Sequence, residues 1–332
     1  MSELSKDLES LFVPASLEER RSTRRKKSIA RSRRLILQEF LRSRAVTVSI
    51  GFLLLLALLA IIVPALSPYS YDRQIRGAEL IAPFHSLSHP LGTDALGRDE
   101  MVRLLFGTRI SLAIGVTVSL LSVAIGVVYG AVSGYFGGWA DSLMMRAVEI
   151  ISSIPALLVI ILLYVAISEP LKSFLSHHPS LFFLQNIGPA LISIFITFAL
   201  LFWTDTARIV RGQILKLKES DFILAARACG ASHSRIIFRH LIPNSLGVIL
   251  ITATLNIPSA IFGEAYLSFL GLGVSPPMCS LGSLANDALA GVYTYPHLLI
   301  LPSALICLII LAFHRIGDGL RDTLDPTSGS EV

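Results

Sequence analysis

Long apolar runs alternate with short polar segments along the chain. The first run, residues 45–66, contains no charged side chain and can cross a bilayer as one helix, because about 20 helical residues span the hydrocarbon core. Similar runs recur, and together they predict an all-α fold, a polytopic membrane helix bundle with six transmembrane helices. The five further spans are predicted at residues 110–133, 147–167, 186–204, 245–262 and 295–313.

Small side chains recur about every four residues in the second predicted span. A stripe of small residues lets two membrane helices approach closely, so this span is expected to pack within the bundle. Residues 134–146, which follow it, are predicted to form a short turn with Gly137 and Gly138 at its tip. The small residues are Gly115, Ser119, Ser122, Gly126, Gly130 and Gly134.

Two residues stand out in the later spans. Glu149 lies one turn inside the third predicted span. An acid in a membrane helix is a candidate functional group, but this one is near the interface and is expected to pair with Arg146. Pro258 is expected to break the fifth helix near its end, because proline removes a hydrogen bond from the helical ladder.

Positive charge is concentrated at the N-terminus, where residues 1–44 hold twelve of the 28 Lys and Arg residues. Nucleic-acid binding would call for a folded basic surface or interleaved aromatic residues, and only Phe12 and Phe40 are present. A cleavable signal peptide would have a shorter basic region and a shorter apolar run. Basic segments beside membrane helices remain in the cytoplasm and attract anionic lipid, so a cytoplasmic tail is predicted.

A second basic segment supports the same orientation. Residues 208–239 contain seven Lys and Arg residues against two acidic ones. Four spans separate this segment from the tail, so both lie on the cytoplasmic side, and both termini are predicted to be cytoplasmic. The predicted organisation is a basic tail 1–44, a first helix 45–66, a periplasmic segment 67–108, a membrane core 109–318 with a cytoplasmic loop 206–243, and a tail 319–332.

The stretch from Asp221 to Asn244, DFILAARACGASHSRIIFRHLIPN, predicts a helical hairpin inside that loop. Its Ala-rich first half favours a helix, and Gly230 follows where a helix end needs a residue that tolerates positive φ. Ser232 can cap a second helix, and Pro243 is expected to end it. A short amphipathic hairpin of this kind suits docking to a soluble protein.

The second helix of the hairpin is predicted to have two distinct faces. Residues three and four apart lie together on a helix surface. That spacing places Arg235 and Arg239 on one face, where they could pair with acidic groups of a partner. The apolar side chains of the other face are expected to pack against the partner. That other face carries Ile236, Ile237, His240 and Leu241.

The hairpin resembles the cytoplasmic "EAA" loop of permease subunits of binding-protein-dependent ABC importers, above all the C-type subunits of the dipeptide, oligopeptide and nickel group. The family pattern is roughly E-A-A, three residues, G, nine residues and I-x-L-P. Here Leu224-Ala225-Ala226, Gly230 and the closing residues 239–243, RHLIP, follow in that order, with Leu224 in place of the glutamate. The resemblance implies that the hairpin couples the chain to a separate ATPase. The implied coupling residues are Ala225, Ala226, Gly230, Ala231, Ser232, Ile236, Ile237, Arg239, His240, Leu241 and Pro243.

Three further segments resemble the same subunits, in the same order. They are residues 89–99, HPLGTDALGRD, then residues 269–277 with 281–283 and 286–287, and finally residues 317–326. In the first of these, the glycines are expected in turns and the charged residues in local ion pairs that fix the entry into the next helix. The family-like residues of this outer segment are Gly92, Thr93, Asp94, Gly97, Arg98 and Asp99.

No G-x-x-x-x-G-K-[ST] sequence is present, so the loop that cradles phosphates in ATPases is missing. The chain is predicted to be non-catalytic and to need no cofactor or metal. The resemblance implies a type I ABC importer permease-like fold and a second homologous permease subunit, two ATPase subunits that bind ATP, an extracytoplasmic solute-binding protein and membrane lipid as partners. No nucleic acid is expected.

The expected function is ATP-driven import of dipeptides, oligopeptides or a related small solute across the cytoplasmic membrane. An importer of nickel or another solute is the alternative within the same group. A stand-alone secondary transporter is the alternative outside it. Such a transporter would favour ionisable residues at mid-membrane and inverted repeats.

Overall fold

The computed structural model describes residues 33–324, so the predictions for residues 1–32 and 325–332 lie outside the described part of the chain. Within residues 33–324 the chain is almost entirely helical and forms no β-strand, only two isolated bridges. The long helices are α1 Arg33–Arg42, α2 Arg44–Leu66, α3 Glu100–Phe136, α4 Gly138–Ser153, α5 Ala156–His177, α7 Pro189–Leu217, α10 Leu246–Phe269 and α12 His297–Leu324.

Short helical elements connect the long ones. The segment that we label α9, residues 233–244, is continuous and consists of the turn His233–Arg235, a π-helical part Ile236–Leu241 and the turn Ile242–Asn244. The others are the 3₁₀ turn Pro179–Leu181, α6 Phe182–Ile187, α8 Asp221–Ala228, α11 Leu281–Asp287 and the 3₁₀ turn Ala288–Gly291.

Six of the described helices, α2, α3, α5, α7, α10 and α12, are long and apolar enough to span a membrane. The predicted all-α bundle of six such helices is therefore confirmed. Five of these helices, α3, α5, α7, α10 and α12, end later than the apolar runs that predicted them. The fifth helix also runs on through Pro258, contrary to the predicted break. Proline is tolerated inside membrane helices where neighbours compensate the freed carbonyl.

The third span was placed wrongly from the sequence. Residues 138–153 form the separate helix α4, where the turn to residue 146 and the start of the third span were predicted, and the spanning helix α5 begins only at Ala156. Ile154 between them has an extended backbone, since the residue before a proline is pushed out of the helical region. Glu149 lies on α4 and pairs with Arg146 at 2.9 Å, as predicted, with both side chains largely exposed.

The helix α3 is the centre of the bundle and packs against α2, α7 and α10. Its stripe of small residues packs within the bundle, as predicted: Gly115 faces α10, and Gly126, Gly130 and Gly134 face α7. A Cβ atom added at Gly130 would lie 2.3 Å from the carbonyl oxygen of Ala207 in α7. The backbones of the two helices therefore meet at a distance that only glycine permits.

Candidate functional site: a helical hairpin and a polar cap at opposite ends of α3

The hairpin formed by α8 and α9 has the predicted turn. Gly230 has a φ of +75°, and the N–H of Ala231 donates to the carbonyl of Ala226 at 3.0 Å, which closes the end of α8. Ser232 caps α9, since its Oγ accepts a hydrogen bond from the N–H of Arg235 at 3.4 Å. The helix, glycine turn and capped helix were all predicted from the sequence.

Proline 243 does not end the second helix, so that prediction was wrong. The helix widens into a π-helical segment before it, where the N–H of Ile242 donates to the carbonyl of Ile237, five residues back. Helical structure then continues through Asn244. The π-helical part places Pro243 near the start of the next helical turn. At that position the N–H that proline lacks would make no helical hydrogen bond.

The apolar side chains expected to meet a partner are instead buried inside the chain. Ile236 is 1% exposed and Leu241 is fully buried, and Ile237 is buried beside them. They pack in one cluster with side chains of α3, α7 and α10, including Tyr135, Val210 and Ile249. The proposed packing of these three residues against another protein is therefore ruled out, and they attach the hairpin to the bundle.

Other residues form the free surface of the hairpin. Leu224 is 54% exposed and Phe238 is 56% exposed. Arg235 and Arg239 are exposed on the same helix as Phe238, whereas His240 is only partly exposed. Among the other predicted residues, Ala225, Gly230, Ser232 and Pro243 are exposed, and Ala226 and Ala231 are partly exposed.

A polar contact joins the hairpin to the end of α3. The Tyr135 hydroxyl lies 2.7 Å from Nδ1 of His233, and the guanidinium of Arg227 sits 5.4 Å from the centre of the Tyr135 ring. One side chain of α3 thus contacts both helices of the hairpin. Sequence reasoning missed Tyr135, because only the tertiary fold brings residues 135 and 233 together.

A second missed pair lies close by, on α4 and α7. The Asp141 carboxylate accepts hydrogen bonds from Nε of Arg211 at 2.5 Å and from Nη2 of Arg211 at 2.6 Å. Ser133 of α3 also donates to it. Hydrogen bonds from the Arg211 guanidinium hold the pKa of the Asp141 carboxyl below its ordinary value. This bidentate pair fixes α4 against the core helices.

The outer segment forms a polar cap at the other end of α3. Asp94 accepts hydrogen bonds from the N–H groups of Leu96 and Arg98, both at 2.9 Å. Its second oxygen accepts from Nε of Arg98 at 2.6 Å and from Nη1 of Arg103 at 2.5 Å. The predicted local ion pair is confirmed, and Arg103 in the first turns of α3 is an addition that the sequence alone did not identify.

The remaining family-like residues hold the cap in shape. Asp99 caps α3 by accepting from the N–H of Val102 at 2.8 Å, and its other oxygen accepts from Nδ1 of His89 at 2.8 Å. Thr93 accepts from the N–H of Ile81 at 2.9 Å. Gly92 and Gly97 both have positive φ, as expected for turn residues.

A cavity of about 1010 Å³ lies between this cap and the segment around α11. Arg103 crosses to that segment, where its Nη2 donates to Asp287 at 3.1 Å. Partial burial raises the pKa of the Asp287 carboxyl, although the Arg103 guanidinium opposes this. Burial also raises the pKa of the neighbouring Cys279 thiol to about 12, so this cysteine stays protonated.

A completely buried acid lies in the second half of α10. Glu264 is fully shielded from solvent. Its carboxylate accepts hydrogen bonds from Ser111 of α3 at 3.0 Å and from Ser268 at 2.6 Å, and Ser280 donates to Ser268 at 3.2 Å. The group therefore ties α10 to α3 and to the start of α11.

The fold of this chain has a counterpart in a solved structure of an ABC transporter. The fold is similar to that of a chain in the structure titled "Inward facing conformations of the MetNI methionine ABC transporter", with a TM-score of 0.51 and 18% identity over 67% of this chain and 96% of that one.

The chain belongs to the family described as "Binding-protein-dependent transport system inner membrane component", which residues 126–328 match. Residues 33–83 match the "N-terminal TM domain of oligopeptide transport permease C". It is therefore a permease subunit of an ABC transporter and not itself the ATPase.

Similar proteins cover most of the chain. The oligopeptide transport system permease protein OppC of Bacillus subtilis is 40% identical over 288 residues, 86% of this chain and 87% of that protein. The dipeptide transport system permease protein DppC of the same organism is 42% identical over 275 residues, 82% of this chain and 79% of that protein. OppC of Escherichia coli K12 is 42% identical over 289 residues, 87% of this chain and 89% of that protein.

Proposed function

We propose that this chain imports dipeptides or oligopeptides as one of two permease subunits in the cytoplasmic membrane. The names of its relatives support peptides as the solute, because both oligopeptide and dipeptide permeases are about 40% identical to it over most of its length. The placement of basic residues supports cytoplasmic termini. Nickel or another small solute remains the alternative within the group.

The hairpin of α8 and α9 is the site where a separate ATPase subunit docks. The observation that carries this proposal is the division of its surface. Its buried side chains anchor it to α3, α7 and α10, while Leu224 and Phe238 are left more than half exposed. Phe222, on the same hairpin, is also exposed. Large apolar side chains exposed on a polar loop are costly in water and favour burial against a partner.

The chemistry of this surface indicates the kind of groove that receives it. Leu224 stands where the family pattern has a glutamate, and an aliphatic side chain needs an apolar pocket in the partner. Arg227, Arg235 and Arg239 are exposed around the hairpin and would face acidic groups at the rim of that groove. The expected partner surface is therefore apolar at its centre and acidic at its edge.

Transport follows if the ATPase moves the hairpin. Closure of two ATP-bound ATPase subunits would pull the hairpin with them, and its buried root would carry α3, α7 and α10 along. A conformational change of this kind requires contacts that differ between the two states, and the ATPase interface supplies them. The other partners are a second homologous permease, an extracytoplasmic solute-binding protein and the surrounding lipid.

The test removes the exposed side chain of Phe238 and leaves in place the buried side chains that anchor the hairpin to the bundle. In the co-expressed transporter, Phe238→Ala should reduce the amount of ATPase recovered per permease by about tenfold or more, since burial of such a side chain contributes roughly 1.5–3 kcal/mol. Phe183→Ala is the matched control, because Phe183 is also exposed but lies on α6. Equal recovery of ATPase from the two variants would exclude the hairpin as the docking site.

Charge reversal provides a second variant. Arg239→Glu should insert normally but abolish stimulation of ATP hydrolysis by the loaded solute-binding protein.

Uptake of labelled dipeptides and of nickel in the same membranes separates the two candidate solutes. Uptake of nickel without uptake of peptide would overturn the proposed substrate and leave the docking site standing.

A further inference from the structure

We propose that the cavity beneath the polar cap binds a small ligand through a primary ammonium group and a neighbouring oxygen acceptor. The cavity measures about 1010 Å³ and is lined by Glu100, Arg103 and Asp287, among others. Its volume is in the range of pockets that hold small molecules. Glu100 and Arg103 decide the chemistry of the ligand.

The first group is the carboxylate of Glu100, which lines the cavity at the first turn of α3. Glu100 is only 2% exposed. Within residues 33–324 its side chain forms neither a hydrogen bond nor an ion pair, although its surroundings are rich in charge. A buried carboxyl group without a partner is costly, and a cationic ligand would supply the missing hydrogen bonds and charge.

The second group is Nε of Arg103, one helical turn further along α3. This atom is buried and has no hydrogen-bond partner in the described part of the chain. The two other nitrogens of the guanidinium donate to Asp94 and Asp287. Its charge is thus already matched, and Nε offers one free N–H donor to an oxygen atom.

The charge balance selects a cation over an anion. Asp94 and Asp287 pair with Arg98 and Arg103, so these four residues carry no net charge. Glu100 has no counter-charge among these residues, and Asp72, which also lines the cavity, forms no ion pair within residues 33–324. The family-like segment, with Asp94 and Arg98, provides the rigid wall that holds the two arginines in place.

The spacing of the two free groups describes the ligand further. Residues 100 and 103 lie on one face of α3, with Cβ atoms about 5–6 Å apart. A ligand that satisfies both carries an ammonium close to an oxygen acceptor. The N-terminus of a peptide has this arrangement, with its first carbonyl beside the ammonium, and so does the ethanolamine phosphate headgroup of phosphatidylethanolamine. A metal ion is not favoured, since no cluster of three or more His, Cys, Asp or Glu residues with suitable geometry occurs among the described residues.

Binding should be measured on the complete transporter in nanodiscs of phosphatidylcholine and phosphatidylglycerol, without the solute-binding protein. Alanyl-alanine should bind, and N-acetyl-alanyl-alanine, which lacks the ammonium, should not. Glu100→Gln should weaken alanyl-alanine binding about tenfold to a hundredfold, the range expected for a hydrogen bond to a charged group. Glu149→Gln, at the exposed acid of α4, is the matched control and should bind like the wild type.

Nanodiscs that contain phosphatidylethanolamine distinguish the two sources of the ammonium. If the lipid is the ligand, it should raise the thermal transition of the wild type and of Glu149→Gln but not of Glu100→Gln, and it should block the dipeptide. If the free peptide is the ligand, the lipid should change nothing. Equal responses of wild type and Glu100→Gln to both probes would overturn the site.

A measurement on the unaltered protein guards against a variant that fails to assemble. Labelling of carboxyl groups with a soluble carbodiimide, followed by mass spectrometry, should show Glu100 protected by alanyl-alanine or by phosphatidylethanolamine. N-acetyl-alanyl-alanine should give no protection. Labelling of Glu100 that is the same with every probe would refute the proposal, and because it involves neither ATP nor peptide uptake, this result leaves the proposed transport function untouched.

Discussion

The hydroxyl of Tyr135 lies 2.7 Å from Nδ1 of His233, and this contact joins the last turn of α3 to the first residue of α9. It is a polar link between the centre of the bundle and the hairpin that we propose as the ATPase docking site. The ring of Tyr135 is buried in the same cluster as Ile236 and Leu241. The link can therefore be removed without removing the packing.

Tyr135→Phe should loosen the hairpin while leaving the bundle folded. A side-chain hydrogen bond contributes about 1 kcal/mol, so amide hydrogen exchange in residues 233–244 should speed up roughly fivefold. Tyr129→Phe is the control, because its hydroxyl donates to the carbonyl of Met144 on α4 rather than to the hairpin. Identical exchange in the two variants would show that the Tyr135 hydroxyl does not hold the hairpin.

Asp141→Asn should destabilise the subunit by about 1–2 kcal/mol, less than a fully buried pair would, because Arg211 is one-third exposed. The matched variant Glu149→Gln breaks an exposed pair and should cost less than about 0.5 kcal/mol. Thermal unfolding of the purified subunit at pH 7 measures both. A loss of stability in Asp141→Asn no larger than that of the control would show that the pair of Asp141 and Arg211 does not stabilise the subunit.

The same pair predicts a pH dependence. The pKa of Asp141 is lower in the folded protein than its ordinary value of 3.8, so the pair stabilises the fold above that value. This contribution is lost as the pH falls through the lower, folded-state pKa. The difference in unfolding temperature between wild type and Asp141→Asn should be constant from pH 7 to 5 and shrink below about pH 4. A difference that grew on acidification would have the wrong sign.

Gly97→Ala should disrupt the polar cap. A Cβ atom at residue 97 would lie 2.2 Å from the carbonyl oxygen of Ile75, at a φ of +70°, so strain and a backbone clash add up. Gly77→Ala is the control, since it has a φ of +84° but nothing within 4 Å of the new atom; it should cost only the roughly 1–2 kcal/mol of a left-handed alanine. Limited proteolysis of residues 67–99 should be much faster in the first variant than in the second.

Gly130→Ala should push α3 and α7 apart. The added methyl group would meet the Ala207 carbonyl, and overpacking of this kind costs about 1–3 kcal/mol. Gly212→Ala in α7 points into open space and should be neutral or stabilising by up to about 1 kcal/mol. Thermal unfolding should give a lower unfolding temperature for Gly130→Ala than for Gly212→Ala. Equal temperatures would mean that α3 and α7 are not in close contact at Gly130.

The sequence predicted those features that depend on local chemistry. The six apolar helices follow from run length, the hairpin turn from Gly230 and Ser232, and the outer turns from Gly92 and Gly97. The separate helix α4 was missed because residues 150–167 contain no charged side chain and were interpreted as part of one span. Pro155 nevertheless predicts the break between α4 and α5, because a proline forces the residue before it, Ile154, out of the helical region.

The burial of the hairpin could not be predicted from periodicity. An amphipathic pattern shows that one face is apolar but not which protein covers it. Ile236, Ile237 and Leu241 were assigned to a partner, whereas α3, α7 and α10 of the same chain cover them. The same holds for Asp141 with Arg211, and for Arg103 with Asp287, which are 70 and 184 residues apart in the chain.

The length of α3 has a mechanical consequence. Its 37 residues extend about 55 Å at 1.5 Å per residue, well beyond the roughly 30 Å of a hydrocarbon core. Glu100 and Arg103 stand at one tip of this rod and Tyr135 at the other. A rigid helix tilts as one body. A small tilt of α3 imposed at the hairpin must therefore displace its other end, beside the cavity, in the opposite direction.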